Sequence, residues 1–533
     1  MAKHLRTIAR IIHNHLHNRL HCSLRPSPLR EGLRVRPSLL FLFAVLLLIA
    51  CDDYDAFTTD RTATLRFSAD TVRFDTLIST VPSSTRTLTV YNRGDEGLRI
   101  SQVQLLRGKA SPFRVNIDGQ DMSRSADNLV TDFEVRRRDS ILVRIEVTVP
   151  QQDADSVITF ADTLDFTLES GLRQQVQLIA SGRDAFFISA RTINADTTFT
   201  ARRPIVVYDS LVVAPGVTLT LEAGTQLLFH EKAGIVVHGT LIADGTLDQP
   251  VIMRGDRTDH MFDYLPYDRL PSRWEGLTLT AESHDNRLEY LDLHSGLYGI
   301  RCDSTGVDDM KLQLVNSRIH NLGGHGLELN HCRAEVVNSE ISNTLGHCAY
   351  INGGDVLFTH CTLAQFYALS AARGDAVNIT NKDSLGYYPL HRADFINCVI
   401  TGYAEDVILM PALNREDMPT DVADLPINYQ FIHCFLTTIV PDDELYAPRF
   451  IDCRIDSIDA DINREKHFQL IDTHAFLYDF TPIETSPIRG CADSTYAQPY
   501  PLDRLGRNRS LDDAPDAGCY EFVMKEDEDE KSE

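Results

Sequence analysis

The sequence is poor in several things that common protein chemistries need. Among 533 residues there is one tryptophan, no pair of cysteines spaced as CxxC, no Gly-rich phosphate-binding loop, and only 51 basic side chains against 76 acidic ones. The missing CxxC argues against thiolate metal sites and dithiol redox chemistry. The missing phosphate loop argues against the nucleotide enzymes. A formal net charge of −25 repels phosphate backbones and anionic lipid, which excludes nucleic acid as a partner. The length leaves room for two or three domains and a large buried core.

Long apolar runs are scarce too. The main one, Leu39 to Ala50, is too short for a comfortable transmembrane helix. It follows Arg34 and Arg36 and ends in Leu48-Ile49-Ala50-Cys51, which resembles the lipobox of bacterial lipoproteins, cleaved before the cysteine. The resemblance implies a signal peptide over 1–50 and a lipid on Cys51; the alternative is a plain secretory signal or a retained anchor helix. Asp52-Asp53-Tyr54-Asp55 resembles the export signal of surface lipoproteins in Bacteroidetes-type bacteria, implying the outer membrane and the cell surface. Under enteric-type sorting, an Asp after the lipidated Cys would instead imply retention at the inner membrane. Residues 1–32, with the His-rich stretch Ile11 to His21, make an unusually long n-region and read as a start codon placed too far upstream.

After a polar tether over 51–64, short alternating stretches occupy 65–183: Leu65-Arg66-Phe67, Val72-Arg73-Phe74, Leu88 to Asn92, Leu98-Arg99-Ile100, Ile141 to Val147, Leu164-Asp165-Phe166 and Val176-Gln177-Leu178. Turn signals such as Asn92-Arg93-Gly94-Asp95 separate them, as an antiparallel sandwich requires. Thr87 to Asn92, Leu98 to Ile100 and Ser111 to Asn116 resemble the Ig-like choice-of-anchor and ASH-type domains of envelope proteins. That resemblance implies an Ig-like β-sandwich acting as a spacer.

Six echoes run through the second half: Val315-Asn316-Ser317-Arg318-Ile319, Val337-Asn338-Ser339-Glu340-Ile341, Thr359-His360-Cys361-Thr362-Leu363, Ile396-Asn397-Cys398-Val399-Ile400, Ile432-His433-Cys434-Phe435-Leu436 and Ile451-Asp452-Cys453-Arg454-Ile455. Their period-two alternation is that of half-buried strands, and repetition at coil-like spacing implies a solenoid. The first two intervals are one coil of about 22 residues each, and the next two are longer, so those coils carry extended loops. Thr218 to Phe229, Gly234 to Ala243, Pro250 to Met253 and Trp274 to Leu279 resemble right-handed parallel β-helix lipoproteins, which implies such a helix over 186–480, with on the order of ten coils. Ser486-Pro487-Ile488-Arg489, Asp503 to Arg507 and Pro515 to Glu521 resemble the choice-of-anchor Q tail, implying a cap over 481–523 that covers the last open coil. Residues 524–533 read as a disordered acidic tail.

Several constellations invite a chemical reading. Cys361, Cys398, Cys434 and Cys453 share an inward register and are expected to stack as small hydrophobes where Ser317 and Ser339 sit earlier; disulfides or a soft-metal column are the alternative. Cys491 and Cys519 flank the cap and could pair. His320, His325, His331, His347 and His360 cluster, and His360, Asn397, His433 and Asp452 share an outward register. Neighbouring rungs offer a flat row rather than a tetrahedral pocket, so these read as ladder residues and no metal is expected. Glu289, Asp292, Arg301, Asp303, Asp308, Asp309, Glu328 and Asp355 could line a groove, but no spacing singles out a catalytic pair.

The loop from Arg254 to Trp274 combines Phe262, Tyr264, Tyr267 and Trp274 with Asp and Arg residues, which suits carbohydrate stacking or a protein partner, and equally a loop folded over the first coils. The expectation is an all-β chain: an Ig-like sandwich, a right-handed parallel β-helix and a C-terminal cap. It is lipid-anchored at the cell surface, binds a glycan or protein without catalysis, and uses no cofactor. The rival is a polysaccharide lyase or glycoside hydrolase, for which Ca²⁺ would suit the carboxylates.

Overall fold

A computed structural model describes residues 56–413, 419, 422–456, 464–510 and 514–523. Cys51, the signal-like segment and the acidic tail over 524–533 lie outside the described residues. All that follows concerns the compact unit Thr58–Glu533.

The chain is all-β. Its first part is two five-stranded sheets. One carries Arg66–Phe67, Arg86–Tyr91, Ser140–Val147, Phe113–Ile117 and Gln120–Asp121, in that order and antiparallel. The other carries Thr71–Ile78, Arg173–Arg183, Ile158–Leu168, Leu98–Leu105 and Leu129–Val135, with only Thr71–Ile78 running parallel to its neighbour. Strict alternation makes the strands: in Ser140–Val147 the inward Ile141, Val143, Ile145 and Val147 are buried while Ser140, Leu142 and Arg144 are exposed. Leu88, Val90, Val143 and Ile145 meet Ile100, Val103, Phe166 and Val176 in one apolar core. Each fully buried aliphatic side chain there stabilises the fold by about 1.5–3 kcal/mol.

From Phe186–Ile193 onward the chain is a stack of parallel strands forming sheets of 18 and 10 strands, an arrangement compatible with a parallel β-helix. Each regular coil gives one strand to the smaller sheet and two to the larger. Register shows the repeat: Val315 pairs with Val337 and Val337 with Thr359, Ile319 with Ile341 and Ile341 with Leu363, Leu327 with Ala349 and Ala349 with Val377. Inward positions stack like on like. Phe358, Phe395, Phe431 and Phe450 form a column of nearly parallel rings with centroids 4.8, 5.1 and 5.2 Å apart. The parallel stack ends at Phe450–Ile451 and Arg454–Ile455, short of residue 480, and is followed by the antiparallel pair Phe468–Asp472 and Leu477–Pro482.

The echoes are corners. Asn316, Asn338, His360, Asn397, His433 and Asp452 all take the left-handed conformation, with φ between 47° and 54°. Asn, Asp and His tolerate that region better than other non-glycine residues. The side chain after each bend turns inward: Ser317, Ser339, Cys361, Cys398 and Cys434 are fully buried.

The C-terminal segment differs from the expected cap. It runs along the flank of the stack, touching Asn338 through Leu502, Thr362 through Cys519, Asn397 through Asp493, and Arg454 through Pro487 and Arg489. Ile451 and Ile455, in the last rung, stay exposed. The physical reason lies in the corners. Their polar groups face outward, and a strap along the flank satisfies two of them: Asn338 donates to the Leu502 carbonyl at 2.9 Å, and Asn397 exchanges two hydrogen bonds with the backbone of Asp493, at 3.0 and 2.9 Å. His360 and Asn397, expected to face outward, are therefore buried beneath it.

Candidate functional site

The loop over 254–274 leaves the strand Val251–Gly255, forms a small antiparallel pair, His260–Phe262 with Leu265–Pro266, and returns through the single turn Tyr267–Arg269. It is pinned from several sides. His260 Nδ1 lies 2.9 Å from Asp75 in the sandwich, where Arg86 also binds Asp75 at 3.3 Å. Arg269 donates to the Ala475 carbonyl at 3.2 Å, and Arg254 pairs with Asp268 at 3.2 Å. Arg257 grips Asp259 through two hydrogen bonds of 2.9 and 2.5 Å and covers the Tyr267 ring at 3.4 Å. Burial pushes the Asp259 carboxyl up, but the Arg257 guanidinium outweighs it and holds it below the usual range. A cavity of about 270 Å³ lies beside the loop, lined by Ile78, Val81, Val206, His230, Asp256 and Arg257 among others.

The four aromatic residues part company. Trp274 is only 2% exposed: its indole stacks on Phe229 at 4.3 Å and its Nε1 donates to the His294 carbonyl at 2.8 Å. It belongs to the core and is corrected as a ligand-binding residue, because a broad flat ring with one satisfied donor fits the interior of a stacked coil. Tyr267 is occupied by Arg257. Phe262 and Tyr264 remain 52% and 45% exposed, their rings 5.6 Å apart and within 11° of parallel, and His474 stacks on Tyr264 at 4.0 Å.

A second constellation lies on the outer face of the larger sheet. Asp292 and His294 are two apart on Leu291–His294, so both leave the same face. The next rung places Arg318 beside Asp292 and His320 beside His294. Asp292 Oδ1 lies 2.7 Å from His294 Nδ1 and 3.2 Å from His320 Nε2. Burial and the nearby Arg318 charge push the His320 imidazole down to about 4, so it is neutral near pH 7. Arg318 turns to the buried Glu340 at 3.0 Å, which also accepts from Ser342 at 2.7 Å and from Tyr520 of the C-terminal strap at 2.5 Å. Burial raises the Glu340 carboxyl, and Arg318 outweighs it and holds it down.

Asp292 and His320, both singled out in sequence, come together through His294, which sequence reasoning missed. The flat-row argument overlooked that two alternate residues of one rung and one of the next make a triangle. The i, i+2 spacing of Asp292 and His294 was the available signal. The other carboxylates are mostly neutralised or solvated: Glu289 pairs with Arg287 at 2.8 Å, Glu328 with Arg301 at 3.0 Å, Asp355 with Arg392 at 2.6 Å, and Asp308 and Asp309 are exposed. His325 and His347 stack at 5.2 Å, and each ring accepts a backbone N–H at 2.9 Å, which fixes them as structural groups. Cys491 and Cys519 are free thiols rather than a disulfide.

No family model matches the sequence, and no curated protein does. Among solved structures, the ASH/PapD-like domain of human CEP192 aligns at 12% identity over 31% of this chain and 97% of that chain, with a TM-score of 0.16. The Vibrio cholerae VesB protease aligns at 12% identity over 24% of this chain and 33% of its own, with a TM-score of 0.16. A protein of unknown function from Porphyromonas gingivalis W83 aligns at 14% identity over 25% of this chain and 60% of its own, again with a TM-score of 0.16. Likenesses of this extent assign neither fold nor function. No helix among the described residues is long and apolar enough to cross a membrane.

Proposed function

We propose that the chain is a lipid-anchored envelope protein of the cell surface that binds glycans without turning them over. In this reading Cys51 carries the lipid, an Ig-like sandwich stands as spacer, and a right-handed parallel β-helix, strapped by its C-terminal segment, presents the binding loop. One observation carries it: Phe262 and Tyr264 expose parallel rings on a loop whose ends are held by His260 to Asp75 and Arg269 to Ala475. Half-exposed aromatic rings held in place before binding, Phe262 beside a Tyr264 that is itself stacked on His474, suit stacking against the apolar face of a sugar ring, because little side-chain freedom remains to be lost.

A glycan array probed with the purified protein tests this. Binding to a glycan class, lost on the Phe262→Ala/Tyr264→Ala double substitution and unaccompanied by release of reducing ends or unsaturated products, is the expected result. Turnover of the bound polymer would replace this reading with that of a lyase or hydrolase. Array binding indifferent to the substitution would remove the loop from the site. Protease shaving of intact cells tests the location: cleavage without lysis is expected, and protection until lysis rules out surface display.

A further inference from the structure

Asp292, His294 and His320 form, among the described residues, the one group of three whose donor atoms all lie within 4.8 Å of one another. The two imidazole rings stack with centroids 4.8 Å apart and 28° between planes, each pointing a nitrogen at the same carboxylate oxygen. We propose that these three side chains bind a divalent transition ion of the zinc class, through His294 Nδ1, His320 Nε2 and the Asp292 carboxylate.

The donor set selects the ion. Two imidazoles and one carboxylate suit zinc, cobalt or nickel, whereas calcium and magnesium take oxygen ligands almost exclusively. Bond lengths near 2.0–2.2 Å place tetrahedral ligands roughly 3.3 Å apart. The present separations of 2.7 and 3.2 Å from Asp292 Oδ1 both lie below that spacing, and the two ring nitrogens are within 4.8 Å of each other, so an ion entering the triangle displaces two hydrogen bonds, spreads the carboxylate from the rings and draws the rings together. The backbone is already committed, since Asp292, Leu293 and His294 are in register with Arg318, Ile319 and His320, and the His294 carbonyl is tied to Trp274.

Access and charge both allow an ion. Asp292 is 26% exposed and the two rings 12% and 10%, which leaves one side open for entry and for a water ligand. Arg318, the neighbouring cation, spends its hydrogen bonds on Glu340 and the Tyr478 carbonyl rather than on Asp292. Three protein ligands with one open position is the composition of sites that bind a water or a ligand group on the metal.

The test is titration of the chelator-treated full chain with Co²⁺, reading the visible d–d bands and the bound equivalents, alongside His320→Gln and Asp292→Asn. Asn keeps the size of Asp292 and its hydrogen bonding while removing the charge. The expected result is a tetrahedral-type band in the wild type, its loss together with one bound equivalent in both variants, and a Zn²⁺-dependent rise in thermal midpoint confined to the wild type. Counting the difference between wild type and variants separates this site from the histidines of residues 11–21. Equal Co²⁺ uptake and spectra in wild type and Asp292→Asn, with melting of the variant within a few degrees of wild type, would overturn the proposal. So would the lack of any Zn²⁺-dependent shift in the wild type.

Discussion

The backbone amide of Cys361 donates to Sγ of Cys398 at 3.4 Å, and the amide of Cys398 repeats the contact with Sγ of Cys434 at 3.3 Å. Two coils earlier, Ser317 N meets Ser339 Oγ at 3.1 Å in the same place. Each thiol in turn faces carbonyls: Cys398 that of Ile396 at 3.3 Å, and Cys434 that of Phe395 at 3.2 Å. At these corners the αL bend takes one amide out of the strand ladder, and a small side chain from the next coil accepts from it. The column therefore needs a short group that both accepts and donates, which Ser and Cys alike supply.

Cys398→Ser is expected to hold stability near the wild-type value, while Cys398→Ala, which leaves the buried Cys361 amide without its partner, costs about 1–3 kcal/mol. Denaturant unfolding measures both. Burial raises the Cys398 and Cys434 thiols well above their ordinary value, so neither reacts with a thiol reagent until the protein unfolds.

Asn316 sits at φ 50° in its corner. Asn316→Gly removes the steric penalty and is expected to be near neutral, whereas Asn316→Val, β-branched and forced left-handed, destabilises by about 1–2 kcal/mol or more. The pair of melting curves separates backbone strain from loss of the side chain.

Trp274 is the only tryptophan and is packed on Phe229. Its emission is expected to be blue-shifted and shielded from acrylamide in the folded protein, with a red shift on unfolding. Trp274→Ala should cost about 3–5 kcal/mol, and Trp274→Phe clearly less. An emission already red and readily quenched in the native state would contradict the core placement.

His347 is pushed down from an ordinary 6.5 to about 4, first by burial and then by the charge of His325, itself lowered by burial. The unfolded chain takes up a proton near 6.5 that the folded chain refuses. Stability from this group is complete above that pH and is lost as pH falls toward 4, by about 2 kcal/mol at roughly pH 5. His347→Gln should flatten the dependence of the urea midpoint between about pH 7.5 and 5.

Tyr520 ties the strap to the stack through Glu340, at 2.5 Å. Tyr520→Phe is expected to cost about 1.5–3 kcal/mol, the range for a hydrogen bond to a charged group. Limited proteolysis should then release the C-terminal segment before the coils are cut.

Much of the fold was legible in the residues. Leu88 to Asn92, Ile141 to Val147 and the six echoes alternate with period two, and each falls on an observed strand or corner. Strands such as Leu129–Val135, whose first half carries half-buried and exposed residues, left too weak an alternation to be read. Of the site, the loop's aromatic content was legible, but the division between exposed Phe262 and Tyr264 and buried Trp274 was not. All four are large aromatic side chains, and only the Phe229 face one coil away distinguishes them.

The sequence by itself determined the strand period, the coil length, the inward Ser and Cys column and the polar corners, because these are local consequences of alternation and of which residues tolerate a left-handed bend. The tertiary structure decided what those corners meet. Stacking brought Asp292, His294 and His320 to within 4.8 Å across a rung, and laid the C-terminal segment along the flank, where Asn338 and Asn397 bind its backbone. Contacts between residues 28 to 164 positions apart follow from how coils stack and where the tail runs, and no local pattern encodes them.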